Sequence, residues 1–148
     1  KLWVGPINTV TEMVPNAENR VMLSKELDPL GGQAVKLKLN LTEFDLHTIK
    51  RSVEIYALEL MKHKRGELRV KKEIEPQNLH PGPHHMGSTR MHENPKQGVV
   101  DKDCKVYGLD NLYIAGSSVF TTGSSVNPTY TIGALAIRIS DTLKRVHA

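Results

Sequence analysis

The sequence predicts an α+β fold, and three observations predict it. Residues Val35 to Leu41 alternate apolar side chains with Lys36, Lys38 and Asn40, the period-two pattern of a strand with one wet face. Residues Glu43 to about Lys64 place apolar side chains at three- and four-residue spacing, the pattern of an amphipathic helix. From Leu112 to Arg145 a short apolar run ending in Gly116 leads through a small-residue loop into a second amphipathic stretch, which predicts strand, loop and helix. The expected architecture is antiparallel strands packed on a long helix, followed by a C-terminal strand–loop–helix. At 148 residues one sizeable core, and hence a single unit, is expected.

Taken in order, Lys1 to Pro15 is mixed and holds two prolines, which predicts a loop or a loosely held terminus. Arg20 to Leu23 is a short strand candidate. The Asp28-Pro29-Leu30-Gly31-Gly32 turn then leads into the Val35–Leu41 strand. Thr42 and Asp45 have capping-box spacing, with Asp in place of the usual Glu or Gln, and open the long helix. Phe44, Ile49, Val53, Tyr56 and Leu60, joined by Leu46 and Ala57, form its apolar face. Lys50, Arg51, Glu54, Glu59 and Lys62 lie opposite, and Gly66 is the expected stop. Leu68 to Val70 is a further short strand candidate, and Val99–Val100 and Val106–Tyr107 are two more.

Asn78 to Met91, NLHPGPHHMGSTRM, differs in kind. Three histidines, two prolines and two glycines with few apolar residues make a loop shaped by what it touches. Two readings are open from the residues alone. One is an exposed histidine-rich loop; the other is a metal site using His80, His84, His85 and His92, against which stands the lack of Cys, Asp or Glu at ligand spacing. Ser117 to Asn127 holds four serines, two threonines and a glycine, so its backbone can lie close to a ligand. The final helix is expected to start with Asn127 as N-cap and Pro128 at the first helical position, with Ile132, Leu135, Ala136, Ile139 and Leu143 on its apolar face.

Composition narrows the classes. With 39% hydrophobic and 24% charged residues, neither disorder nor a membrane class is indicated, and no apolar run approaches the ~20 residues of a spanning helix. The net charge of +4 lacks the aromatic interleaving of a nucleic-acid surface. A single cysteine, Cys104, excludes an internal disulfide and fits a structural thiol. The opening residues of the chain do not read as a charged-then-apolar leader. Its start at Lys1 without Met suggests a piece of something longer.

Two separated segments carry a resemblance. HHMGSTRM (His84 to Met91), followed by VVD, VYGLDNLYIAGSSVF and NPTYTIGALAIR (Val99 to Arg138), is similar to the C-terminal portion of the glucose–methanol–choline family of FAD oxidoreductases. Asn19 to Val70 resembles, more loosely, that family's substrate-binding region. The resemblance implies that residues 1–80 form part of a substrate-binding region. Residues 81–148 would supply a catalytic loop and a strand–loop–helix of an FAD-binding domain. It implies a cofactor, FAD, and a small alcohol or sugar substrate. It also implies roles: His84, three residues before Gly87, as the base and Asn127 as the hydrogen-bonding partner, with Gly116, Ser117, Asn127, Pro128 and Thr129 at the cofactor and no metal. Taking a proton from C–OH while hydride leaves carbon suits an imidazole, whereas an amide can hold the oxygen but not act as base. The family's Gly-x-Gly-x-x-Gly turn occurs nowhere in the chain. The expectation is therefore a C-terminal fragment, inactive and weakly FAD-binding alone, whose partner is the missing FAD-anchoring part and whose exposed apolar surface favours self-association. A stand-alone binding or assembly module and the histidine-loop metal protein are the alternatives.

Overall fold

The computed structural model describes residues 4–70, 73–80, 82–123 and 125–147, so Pro81 and Ser124 of the two expected loops lie outside the described residues. Its elements are β1 (Arg20–Leu27), β2 (Gln33–Lys38), α1 (Glu43–Lys62) and α2 (Thr129–His147), with short 3-10 turns at Pro76–Asn78 and Ser117–Val119. The chain divides into two compact units where its length suggests one. The first is Lys1–Asn19 with Lys38–Gly82, and the second is Arg20–Leu37 with Pro83–Ala148. The expected packing of the strand pair on the long helix would cross from one unit to the other.

In the first unit, α1 begins where the capping box predicts. Thr42 Oγ1 accepts from the Asp45 amide at 3.2 Å, and Asp45 Oδ2 accepts from the Thr42 amide at 2.7 Å. The second carboxylate oxygen accepts the Val14 amide at 2.7 Å, which ties the proline-bounded N-terminal segment to the helix start. Asp45 is buried. The helix ends two residues before the expected Lys64, and Gly66 is not what stops it. Lys64 takes the left-handed conformation with φ 51°, its amide donating to Met61 O at 3.0 Å and the Arg65 amide to Leu60 O at 2.8 Å. That bond pair is a Schellman motif, here with lysine in the position glycine usually holds. Leu46, Ile49, Val53, Ala57 and Leu60 are half-buried on one face and the expected charged residues are exposed, but Phe44 and Tyr56 are exposed too. Leu68–Val70 forms no strand.

In the second unit, β1 and β2 form a two-stranded antiparallel sheet. Pro29 presets the turn and Gly31 closes it at φ 82°. The Asp28 amide donates to Gly32 O at 2.7 Å, and Asp28 Oδ1 accepts the Leu30 and Gly32 amides, each at 2.9 Å. With Asp28 opposite Gly32, the antiparallel register sets Leu23 opposite Leu37 on one face. That apolar face is the exposed one, with Leu23 67%, Leu37 62% and Val35 70% accessible, while Met22, Ser24 and Ala34 behind it are half-buried. The alternation is as predicted and its wet side is reversed, because a two-stranded ribbon has no second layer of its own to cover its apolar side. β1 runs four residues beyond the expected Leu23, and β2 stops at Lys38, short of Leu41.

The core of this unit is Val100, Cys104, Val119 and Ile139, ringed by Met91, Val106, Tyr113, Ile114, Phe120, Leu135 and Leu143. Leu135, Ile139 and Leu143 recur every four residues, so one stripe of α2 closes the core; Ala136, expected on that stripe, is exposed. Beneath α2 the chain makes isolated bridges in place of the expected short strands: Met91 with Val100, Val100 with Val106, and Lys105 with Tyr113. The turn between Val100 and Val106 repeats the chemistry of the first hairpin. The Asp101 amide donates to Lys105 O, Asp101 Oδ1 accepts the Asp103 and Lys105 amides, and Cys104 takes the left-handed place at φ 65°. The lone thiol is fully buried, so it serves as a small core residue.

Candidate functional site

The candidate site is built from two segments of the second unit lying side by side. The Gly87, Thr89 and Met91 amides donate to the carbonyls of Ser117, Ser118 and Val119 at 3.3, 2.9 and 2.9 Å. Alternate residues of an extended segment thus meet consecutive residues of a tight turn. Two hydroxyls add to the ladder. Thr89 Oγ1 donates to Ser118 Oγ at 2.7 Å, and Ser117 Oγ donates to the His85 carbonyl at 3.0 Å. Gly87 sits between these bonds at φ 80°, where an added Cβ would be strained and would meet the Phe120 carbonyl at 3.4 Å.

His84 precedes this clamped stretch directly. It is exposed, and its side chain makes no hydrogen bond to another described residue. Asn127 is likewise exposed and forms no side-chain cap. Helix α2 starts one residue later than expected. Its first i−4 bond runs from the Ile132 amide to Pro128 O at 3.0 Å, which puts Pro128, not Asn127, at the N-cap position and Thr129 first in the helix. The ring of Pro128 is buried, and Thr129 is exposed. The ladder therefore joins Ser117 to the loop that carries His84, while Asn127, Pro128 and Thr129 stand together at the start of α2.

The stretch from Leu112 to Gly116 is not the doubly buried strand the sequence suggests. Only Tyr113 makes a bridge, and Leu112 and Ala115 are exposed. An apolar run becomes a buried strand only where neighbouring strands flank it, and among the described residues it has one-sided, single-residue pairing.

The start of α2 suits an anionic or carbonyl-edged group. The Thr129, Tyr130 and Thr131 amides precede the first i−4 bond and stand at the positive end of a 19-residue helix. Gly116 is extended, and nothing lies nearer to an added Cβ than Ser118 Oγ at 4.0 Å, so the backbone is open to close approach. A cleft of about 260 Å³ between Phe120 and Arg138 lies nearby, but neither His84 nor Asn127 lines it, and its size is below that of a cofactor site. Arg138 there is held by Lys102 O at 2.5 Å and Cys104 Sγ at 3.6 Å, a structural anchor. Among the described residues no three His, Cys, Asp or Glu side chains converge as metal ligands, and no helix is long and apolar enough to cross a membrane. Thr89 and Ser118 escaped the sequence reading. The signal that could have found them is the spacing of hydroxyl and glycine positions along GSTRM against GSSVF.

Comparison with known proteins bears on the same stretch. A family model for the C-terminal domain, described as GMC oxidoreductase, matches residues 15–136. The chain is 46% identical over 68 residues to 2-methyl-1,2-propanediol dehydrogenase of Mycolicibacterium austroafricanum, covering 46% of this chain and 12% of that protein. It is 29% identical over 133 residues to the fructose dehydrogenase large subunit of Gluconobacter japonicus, covering 89% of this chain and 24% of that one. It is 30% identical over 135 residues to 6'''-hydroxyparomomycin C oxidase of Streptomyces lividus, covering 90% and 24% respectively. The chain thus spans about a quarter or less of the length of these relatives. With the match running through both segments of the site, the chain belongs to the GMC oxidoreductase family.

Proposed function

We propose that the chain is the C-terminal part of an FAD-dependent oxidoreductase that converts a CH–OH group of an alcohol or sugar to a carbonyl, and that it carries the proton-handling wall of the site. In this reading residues 1–80 contribute to the substrate region, and residues 81–148 supply the catalytic loop and the strand–loop–helix of the FAD domain. The observation that carries it is the ladder between Gly87–Met91 and Ser117–Val119, which holds the His84 loop against the turn that follows Gly116. FAD, when bound, supplies the two-electron acceptor for the hydride leaving the substrate carbon. His84 takes the hydroxyl proton at an imidazole nitrogen, and the Asn127 amide holds the substrate oxygen as charge develops there. Gly116 and Ser117 leave backbone room for the cofactor's ribityl or phosphate part. Pro128 and Thr129 start the helix whose open amides favour negative charge on the ring. The relatives' names support the substrate class, since they name a propanediol dehydrogenase, a fructose dehydrogenase and a hydroxyparomomycin C oxidase.

Anaerobic mixing of the FAD-loaded full-length protein with a panel of alcohols and sugars is expected to bleach the flavin with at least one of them. FAD bound and never bleached by any CH–OH donor would end this reading. The isolated chain is expected to bind FAD weakly or not at all, and to self-associate through apolar surface such as Leu23, Val35, Leu37 and Tyr130. A tight stoichiometric FAD titration of a monomeric chain would contradict both expectations.

A further inference from the structure

The reading of His84 as the base leaves open what fixes an exposed loop histidine in place. A proton acceptor must stay within hydrogen-bond reach of the substrate hydroxyl, and a displacement of about 1 Å can cost about 10²-fold in rate. His84 has no side-chain hydrogen bond to another described residue, so among those residues hydrogen bonds hold it only through the backbone of its loop. That backbone is held by two hydroxyls that take no proton in the proposed reaction. Ser117 Oγ, at 3.0 Å from the His85 carbonyl, fixes the peptide one residue after His84. Thr89 Oγ1, at 2.7 Å from Ser118 Oγ, locks the far side of the Gly87 bend across a separation of 29 residues.

We propose that Thr89 and Ser117 are positioning residues for His84, acting through the Thr89–Ser118 and Ser117–His85 hydrogen bonds. The proposal rests on His84 being the base. Ser117 then does more than line a cofactor: its hydroxyl proton is committed to the catalytic loop, and only its oxygen lone pairs are left to accept a further bond. Ser118, the acceptor for Thr89, lies in the same turn, so both hydroxyl bonds tie the loop to one short element.

In the full-length FAD-loaded protein, Thr89→Val keeps the shape of the side chain and removes the donor. It is expected to slow flavin reduction about 10-fold or more with KM changed less than about twofold, and Thr89→Ser is expected to restore most of the rate. Ser118→Ala added to Thr89→Val is expected to cost little further, because the two share one bond. A second readout is independent of turnover: amide hydrogen exchange at Gly87 and Thr89 is expected to quicken in Thr89→Val and in Ser117→Ala. Reduction by Thr89→Val within twofold of the parent, or failure of Thr89→Ser to outperform it, or unchanged exchange in both variants would overturn the proposal. If His84→Ala slows reduction while Thr89→Val does not, positioning fails and the base assignment stands. If His84→Ala leaves reduction unchanged, the base assignment fails and the positioning argument falls with it.

Discussion

Asp45 does more to organise the first unit than any apolar side chain in it. Its carboxylate is buried, which on its own would raise its pKa, but bonds from the Val14 amide and from the Thr42 side chain and amide outweigh burial and lower it. A carboxyl whose folded pKa is lowered contributes stability above its ordinary value near 3.8, and that contribution is lost as pH falls through the lower folded value. Asp45→Asn offers one acceptor oxygen where the structure uses two, and should cost about 1–3 kcal/mol in denaturant unfolding at neutral pH. The same variant should flatten the loss of stability below about pH 4. Equal acid sensitivity of parent and variant would mean that the carboxylate is not what acid removes. Thr42-x-x-Asp45 was legible in the sequence as a cap. The third bond, to Val14, was not, since a contact across 31 residues leaves no local signature. Cys104 was equally hidden. The turn from Asp101 to Lys105 copies the one from Asp28 to Gly32, but a cysteine stands where glycine announced the first.

The elements that follow side-chain periodicity were readable, and those that depend on neighbours were not. Both helices could be placed from spacing, because an amphipathic stripe is a property of one segment. The run from Leu112 to Gly116 has the composition of a buried strand, but strand pairing needs partners that spacing along one segment cannot supply, and here only Tyr113 pairs. The end of α1 fell to the wrong residue for a related reason. Gly66 is the obvious stop, yet Lys64 adopts the left-handed turn and Gly66 follows at φ 143°. A lysine there carries a steric cost that glycine does not. Lys64→Gly relieves a left-handed cost of about 1–2 kcal/mol and adds about 0.5–1 kcal/mol of chain entropy, so it should raise stability by up to about 1 kcal/mol, seen as a higher urea midpoint at unchanged slope. A lower midpoint would mean that the helix does not end in this motif.

For the whole molecule, the candidate site was legible as two motifs and illegible as a structure. The sequence placed His84, Gly116, Ser117, Asn127, Pro128 and Thr129 by resemblance, and nothing in their spacing revealed the two-to-one ladder that joins the loop to the turn. It also assumed that apolar alternation means a covered face, whereas Leu23, Val35 and Leu37 are exposed on β1 and β2. The ladder, the start of α2 and the exposed apolar side of the hairpin all belong to the second unit. In the proposed reaction His84 takes the substrate proton. Rapid anaerobic mixing of the full-length, FAD-loaded protein with a donor that bleaches the parent flavin tests it directly. His84→Ala should slow the bleaching by about 10²-fold or more with FAD still bound, and bleaching at the parent rate would contradict the account.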